Sequence, residues 1–179
     1  FGPETLLPSL ICSMAWSDLE LFLHHNFWDE DADSLLRRIA SGGKPDPTVL
    51  ANAELFQVAE GKRSLDAWLT AHGHRGPGEF DLASPRWREQ SERLQEMAAR
   101  LAAGEPPLER FERGRELAAA QAAKLRAQLS PTEAREFDRL LELVHRFMPF
   151  REEGKDCLML AYDLVREVAK RKDVRQFHL

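Results

Sequence analysis

The chemistry in this chain is concentrated in residues 74–88: His74-Arg75-Gly76-Pro77-Gly78-Glu79-Phe80-Asp81-Leu82-Ala83-Ser84-Pro85-Arg86-Trp87-Arg88. Arg75, Arg86 and Arg88 can each fork onto a carboxylate or a phosphate, because a guanidinium presents paired donors in one plane. Glu79 and Asp81 place opposite charge a few residues away. The same segment therefore also reads as a rigid polar plug, in which Glu79 and Asp81 pair with Arg86 and Arg88. Gly76 and Gly78 let the backbone approach a ligand or another strand of chain closely. Phe80, Leu82 and Trp87 offer apolar anchors that argue against disorder. A loop this long inside a compact domain is itself a functional signal. Chemistry alone leaves the ligand site and the plug both open.

Other constellations carry less. Arg151, Glu152 and Lys155 fall at i, i+1 and i+4, so Arg151 and Lys155 share a helix face. Near a helix N-terminus, outward N–H groups and those two cations would seat a phosphate or carboxylate; an exposed charged first turn explains them as well. His72-Gly73-His74 with Asp81 spells three ligand types of a zinc site, but nothing in the spacing fixes ring geometry. No metal is expected. Ser84, His74 and Asp81 make a triad only on paper, without a nucleophile elbow or oxyanion loop.

The elements that must position these residues read as helices. Apolar spacing predicts a helix over residues 18–28 behind Ser17 as N-cap, and another over 31–40. Gly42-Gly43-Lys44-Pro45-Asp46-Pro47 stops the second. Helices are predicted over 48–60, from Ser64 to His72, over 89–103 and over 108–129. Ser130-Pro131-Thr132-Glu133 is a capping box that opens the next one. Pro149 reads as a kink or boundary, with a last helix over 151–172. Its core stripe would be Leu158, Ala161, Tyr162, Val165, Val168 and Ala169. Residues 173–179 read as extended. No alternating run suggests a sheet. The expected fold is all-α: antiparallel helices in a multi-helix bundle around one irregular Gly/Pro/Arg-rich loop, a single helical domain over residues 1–179.

Composition bounds the function classes. The 25 Lys and Arg stand against 30 Asp and Glu, a net charge of −5, which does not suit a nucleic-acid binder. No apolar run reaches the ~20 residues a membrane helix needs. Cys12 and Cys157 form no metal-binding or redox pattern; reduced, mostly buried thiols of a cytoplasmic protein are expected. The first residue is Phe, and the chain is expected to be an internal piece of a longer protein.

Gly73 through Glu89 also resembles a segment of the phosphoenolpyruvate synthase-like proteins, closest to the rifampicin phosphotransferase branch, of the form GHRGxGExDxxxPRWxE in their helical middle region. Residues 45–69, with Asn52, Leu55 and Ala59, fit the same region. Arg151-Glu152 followed by Lys155 resembles the family's RExxK, and Asp173-Val174 through Leu179 its DIFFL-type segment. Glu153-Gly154 departs from the family's aromatic and proline. The resemblance implies a three-part enzyme: an ATP-grasp domain, a swivelling domain with a phosphorylated histidine, and this helical domain holding a small-molecule acceptor. ATP would leave as AMP and phosphate, and Mg²⁺ would accompany ATP in the parent enzyme. This chain would bind no cofactor itself and contain no catalytic residue. It lacks a Gly-rich phosphate loop, and none of His24, His25, His72, His74, His145 and His178 sits in the Gly/Ser/Thr-rich setting of a carrier histidine. The motif match marks His74, Arg75, Glu79, Asp81, Arg86, Trp87, Arg151 and Lys155 as candidate acceptor-site residues. The other expectation is a non-catalytic helical interaction module in which the loop is architectural.

Overall fold

A computed structural model describes residues 3–171, with side chains from residue 7 onward. The expectations for Lys172, for residues 173–179 and for His178 lie outside the described residues. The all-α expectation holds: α1 Pro3–Asn26, α2 Ala32–Ile39, α3 Pro47–Ala59, α4 Leu65–His72, α5 Ser91–Ala102, α6 Pro107–Arg126 and α7 Pro131–Arg171, with no strand among the described residues. The chain divides into two compact units. The first takes residues up to Asp46 and Glu109–Gly154; the second takes Pro47–Leu108 and the chain from Lys155.

The first unit is built on apolar burial. Leu19, Leu23 and Phe27 of α1, Leu35, Leu36 and Ile39 of α2, Leu125 of α6, and Phe137, Leu140 and Val144 of α7 form one cluster. Ser17 does not cap a helix, because α1 begins at Pro3 and runs straight through it. Asp31 caps α2, its Oδ2 accepting from the Ser34 N–H at 3.2 Å. The Ser130 box forms as read: Ser130 N–H donates to Glu133 Oε2 at 2.8 Å, and Ser130 Oγ accepts from the Glu133 N–H at 3.4 Å.

Pro149 does not end α7, which is continuous from Pro131 to Arg171. Proline removes one ladder bond, the one to the carbonyl of His145 four residues back. The glycine turn before α3 packs against that same residue. A Cβ on Gly43 would lie 2.6 Å from the His145 oxygen, and one on Gly42 would collide with the His145 ring. His145 Nε2 in turn lies 2.7 Å from the Ile39 carbonyl. A side chain at Gly43 would thus meet main chain, whereas one at Gly42 would require the His145 ring to move. Cys12 is buried, and burial raises its thiol pKa against the lowering influence of Arg151. Cys157 is exposed, contrary to the expectation of two mostly buried thiols.

The second unit has a small apolar centre of Ala51, Leu55, Trp68, Leu94 and Ala98, with Trp87 packed against it. Trp68 Nε1 donates to the Ala51 carbonyl at 2.9 Å, tying α4 to α3. Ser64 caps α4 through the Ala67 N–H at 3.2 Å. Residues 74–88 are irregular apart from a 3-10 turn at Trp87–Glu89, as their Gly and Pro content requires. The later part of α7 turns the sequence reading around. Met159 and Arg166 are its buried residues, while Leu160, Leu164, Val165 and Val168 are exposed. The face it presents to the loop is largely charged, with Tyr162 of the expected stripe edge-on to Phe80, ring centroids 6.4 Å apart.

Candidate functional site

The loop is closed at its base by main-chain bonds. Trp87 N–H donates to the Arg75 carbonyl at 2.7 Å, and Arg88 N–H to the Gly73 carbonyl at 3.2 Å. The two limbs approach so closely that a Cβ on Gly76 would lie 2.6 Å from the Pro85 oxygen, and one on Gly78 would collide with the Ser84 hydroxyl. This is why the segment needs glycine at both places: not for a positive φ, but for contact.

Glu79 is the centre of the first cluster. Its Oε1 accepts from Arg75 Nε at 2.7 Å, and its Oε2 lies 3.2 Å from Lys155 Nζ on α7. Asp156, one residue on, stands 3.1 Å from His74 Nε2 and 3.8 Å from Arg75 Nε. His74 and Arg75 are buried. A buried cation between two carboxylates, with a second cation on the far oxygen, is the arrangement that makes buried charge tolerable.

Arg86 and Glu89 organise a second cluster. Arg86 is fully buried; its Nη1 donates to the Gly78 carbonyl at 3.1 Å, and its main-chain N–H to Glu89 Oε2 at 2.8 Å. Its Nε and Nη2 are buried with no hydrogen-bond partner among the described residues. Burial lowers the Arg86 pKa, Arg166 adds to this, and Asp163, Glu79 and Glu89 oppose it. Burial alone would raise the Glu89 carboxyl. Hydrogen bonds from Lys170 Nζ at 2.8 Å, the Arg86 N–H and Arg166 Nη2 at 2.9 Å outweigh it and bring the carboxyl down to about 2. Arg166 Nε also donates to the Leu82 carbonyl at 2.8 Å, and Arg88 Nη2 stands 2.9 Å from Asp163.

The loop residues therefore do not form the single network, or the internal plug, that their density suggests. Glu79 pairs with Arg75 and Lys155 rather than with Arg86 or Arg88. Asp81 is exposed and closes a local turn, its Oδ1 accepting from the Ala83 N–H at 2.8 Å and its Oδ2 from the Ser84 hydroxyl at 2.9 Å. Those two bonds hold its carboxyl below the usual carboxylate range. Trp87 is half-buried on the apolar centre, with the Arg93 guanidinium 5.9 Å above its ring.

Lys155 joins the loop, but Arg151 belongs to the first unit, where it is exposed and lies 3.8 Å from Met148 Sδ. Both sit inside α7 rather than at a helix start, so the outward N–H groups expected beside them are engaged in the helix ladder. His72 pairs with Glu54 at 2.8 Å instead of with His74, and no group of three His, Cys, Asp or Glu among the described residues could hold a metal ion. The residues missed from sequence are Asp156, Asp163, Arg166 and Lys170. Their spacing on α7 is helical, and a search for charge periodicity rather than apolar periodicity would have found them.

Beneath the loop lies a cavity of about 200 Å³, bounded by Asn52 and Leu55 of α3, Trp68 of α4, and Arg75, Glu79 and Trp87 of the loop. The first unit has a larger hollow of about 610 Å³ beside Lys44, Arg115, His145 and Phe150. Its cations are exposed, and Arg115 is engaged by Glu112 one turn away. The smaller cavity is the one walled by residues of the sequence motif. No helix among the described residues is long and apolar enough to cross a membrane.

Compared with known proteins, residues 29–152 match the sequence model described as the rifampicin phosphotransferase fourth domain. No curated protein and no solved structure matches the chain. The match takes in the whole loop and ends before Lys155, Asp156, Asp163, Arg166 and Lys170.

Proposed function

We propose a function from one premise: the chain belongs to the rifampicin phosphotransferase family, as a counterpart of its fourth domain. A fourth domain has other domains beside it in the same polypeptide. Our reading is that the second unit positions a small-molecule acceptor for phosphoryl transfer in that parent enzyme. ATP-grasp and phosphohistidine domains would supply the activated phosphoryl group. ATP and its Mg²⁺ we assign to those domains. The loop offers the guanidinium groups of Arg75 and Arg86, a kind of group that suits a phosphoryl oxygen.

The observation that carries this reading is the meeting of two sequence motifs at one carboxylate. Glu79 of the loop is gripped on one oxygen by Arg75 and on the other by Lys155, 76 positions further along the chain. Two cations converging on an oxyanion are what a transferring phosphoryl group requires. In the resting domain the Glu79 carboxylate occupies that place.

A second reading has its own support. Arg166 and Lys170 of α7 hold the loop through Glu89 and the Leu82 carbonyl, so the same charges serve as architecture in a non-catalytic module. Lys155→Ala in the parent polypeptide separates the two, because Lys155 is half-buried and its ion pair with Glu79 joins α7 to the loop. The acceptor reading expects turnover to fall by about 100-fold, the scale of one lost electrostatic contact in a transition state, with melting nearly unchanged. Equal losses of folding and turnover would support architecture. Unchanged turnover would sink the acceptor reading.

A further inference from the structure

We propose that the outward face of α7 beyond Lys155 is the surface on which another domain of the same polypeptide docks, through an apolar face of its own. Membership of the family supplies the other domains; the acceptor reading is not needed.

The face is defined by what it lacks. Cys157, Leu160, Ala161, Leu164, Val165 and Val168 recur at i, i+3, i+4, i+7, i+8 and i+11, so they form one stripe along the helix. All of them are exposed, Leu164 by 67 %. None carries a charge, a hydroxyl or an amide. The same helix shows what its solvated side looks like: near its start the exposed positions include Arg135, Glu136, Asp138, Arg139 and Glu142. Single exposed apolar residues are ordinary, but a contiguous stripe of them marks an interaction site. The other side of this segment is already engaged, since Lys155, Asp163 and Arg166 hold the loop. At 100° per residue the stripe lies opposite those three.

Area decides what covers it. Residues 157–168 span about 16 Å of helix at about 1.5 Å per residue, and a stripe of that length offers on the order of a few hundred Å². A stable complex of two separate chains buries about 800 Å² on each partner. The stripe falls short of that, so a second copy of the chain would not be held by it. Interfaces between domains of one chain start at about 600 Å² in total, or about 300 Å² a side, because a linker already keeps the partners together. The stripe matches this smaller class. The match to the family's fourth domain ends at residue 152, within α7, and the helix continues unbroken to Arg171. The stripe therefore lies beyond the matched fourth domain, on a helix that leads out of it. A domain docked there presses on the back of the helix whose other side holds the loop.

The test is thiol accessibility, because Cys157 lies in the stripe and is exposed, while Cys12 is buried and serves as the internal control. Iodoacetamide labelling of the Cys157 peptide is followed by mass spectrometry in the 179-residue chain and in the parent polypeptide. We expect labelling to be about tenfold slower in the parent, the scale of a thiol covered by a packed surface. Leu164→Lys keeps a good helix former at its position. It should bring the parent's Cys157 rate back to that of the 179-residue chain, and leave the labelling and the melting temperature of that shorter chain unchanged. The proposal is overturned if Cys157 labels equally fast in both, or if it stays protected in the parent with Leu164→Lys. It is also overturned if Leu164→Lys lowers the melting temperature of the shorter chain, which would place the stripe inside this chain's own fold. Protection that fades when the parent is diluted, or a dimer of the shorter chain that Leu164→Lys dissociates in sedimentation, would assign the face to a second copy and overturn it as well. None of these readouts depends on Lys155 or on turnover, so the acceptor reading stands or falls separately.

Discussion

The two units of this chain solve the same problem with different chemistry. The first buries a continuous apolar cluster in which α1, α2, α6 and α7 each contribute large side chains. The second has a small apolar centre and relies on charge to fix its longest irregular segment. A cluster of hydrocarbon tolerates rearrangement among similar shapes, because burial is non-directional. A loop held by Arg75–Glu79, Arg166–Glu89 and Arg88–Asp163 pairs is held in one geometry, because each ion pair works only at short range and with its partner present. The candidate site residues, which such a site would need at fixed positions, lie in the unit with the smaller apolar core.

The largest expected effect tests the apolar side. Phe137 is buried, and its ring centroid lies 6.1 Å from that of Phe22. Phe137→Ala should cost about 3–5 kcal/mol, the usual range for truncating a core aromatic. The loss, followed by thermal melting, should be the same at low and high salt. A strong salt dependence would mean that the first unit also depends on charge.

The next effect tests the charged side through pH. The Glu89 carboxyl is about 2 in the folded chain against an ordinary value of 4.5. A depressed carboxylate contributes stability above its unfolded pKa and loses it as pH falls through the folded one. The contribution should therefore be complete above pH 4.5 and fade between 4.5 and 2. Partial exposure of the side chain reduces it to roughly 1–3 kcal/mol. Glu89→Gln should be less stable than the parent chain by that amount near neutral pH, with the gap closing across that window. A gap that stays constant down to pH 2 would show that hydrogen-bond geometry, and not charge, holds the loop.

The sequence made some of this legible and hid the rest for identifiable reasons. Ser64 and Ser130-Pro131-Thr132-Glu133 announced helix starts because capping is local, with donor and acceptor within three residues of each other. Pro149 suggested a boundary because it lacks the N–H that would bond the His145 carbonyl, and nothing local in the sequence shows that α7 continues through it. The stripe of Val165 and Val168 on α7 looked like core because periodicity reports which face is apolar, and not which face has a partner. Here the partner is a charged loop, and the face that meets it carries Lys155, Asp156, Asp163 and Arg166. The loop itself was legible as the one long irregular segment from its Gly and Pro content. Its pairing scheme was not: Glu79 and Glu89 take partners from α7, more than seventy residues on, and proximity in sequence favoured the wrong arginines.

The smallest expected effect has the opposite sign and uses glycine to separate the roles of backbone and side chain. In the loop, glycine is required by contact, since a Cβ at Gly76 meets the Pro85 carbonyl at 2.6 Å. In α6, Gly114 lies within a helix, and a Cβ there meets nothing within 4 Å. Glycine in a helix interior is unfavourable relative to alanine because the unfolded chain has more freedom to lose. Gly114→Ala should therefore raise stability by about 0.5–1 kcal/mol, read as a small increase in melting temperature. Gly76→Ala should lower it, because backbone on both limbs of the loop would have to move apart and would carry the Arg75 and Arg86 anchors with it. If Gly114→Ala instead destabilises the chain, the open side of α6 at that position is occupied by something in solution. The exposed Leu117, one turn further along the same helix, would then be the first place to look for it.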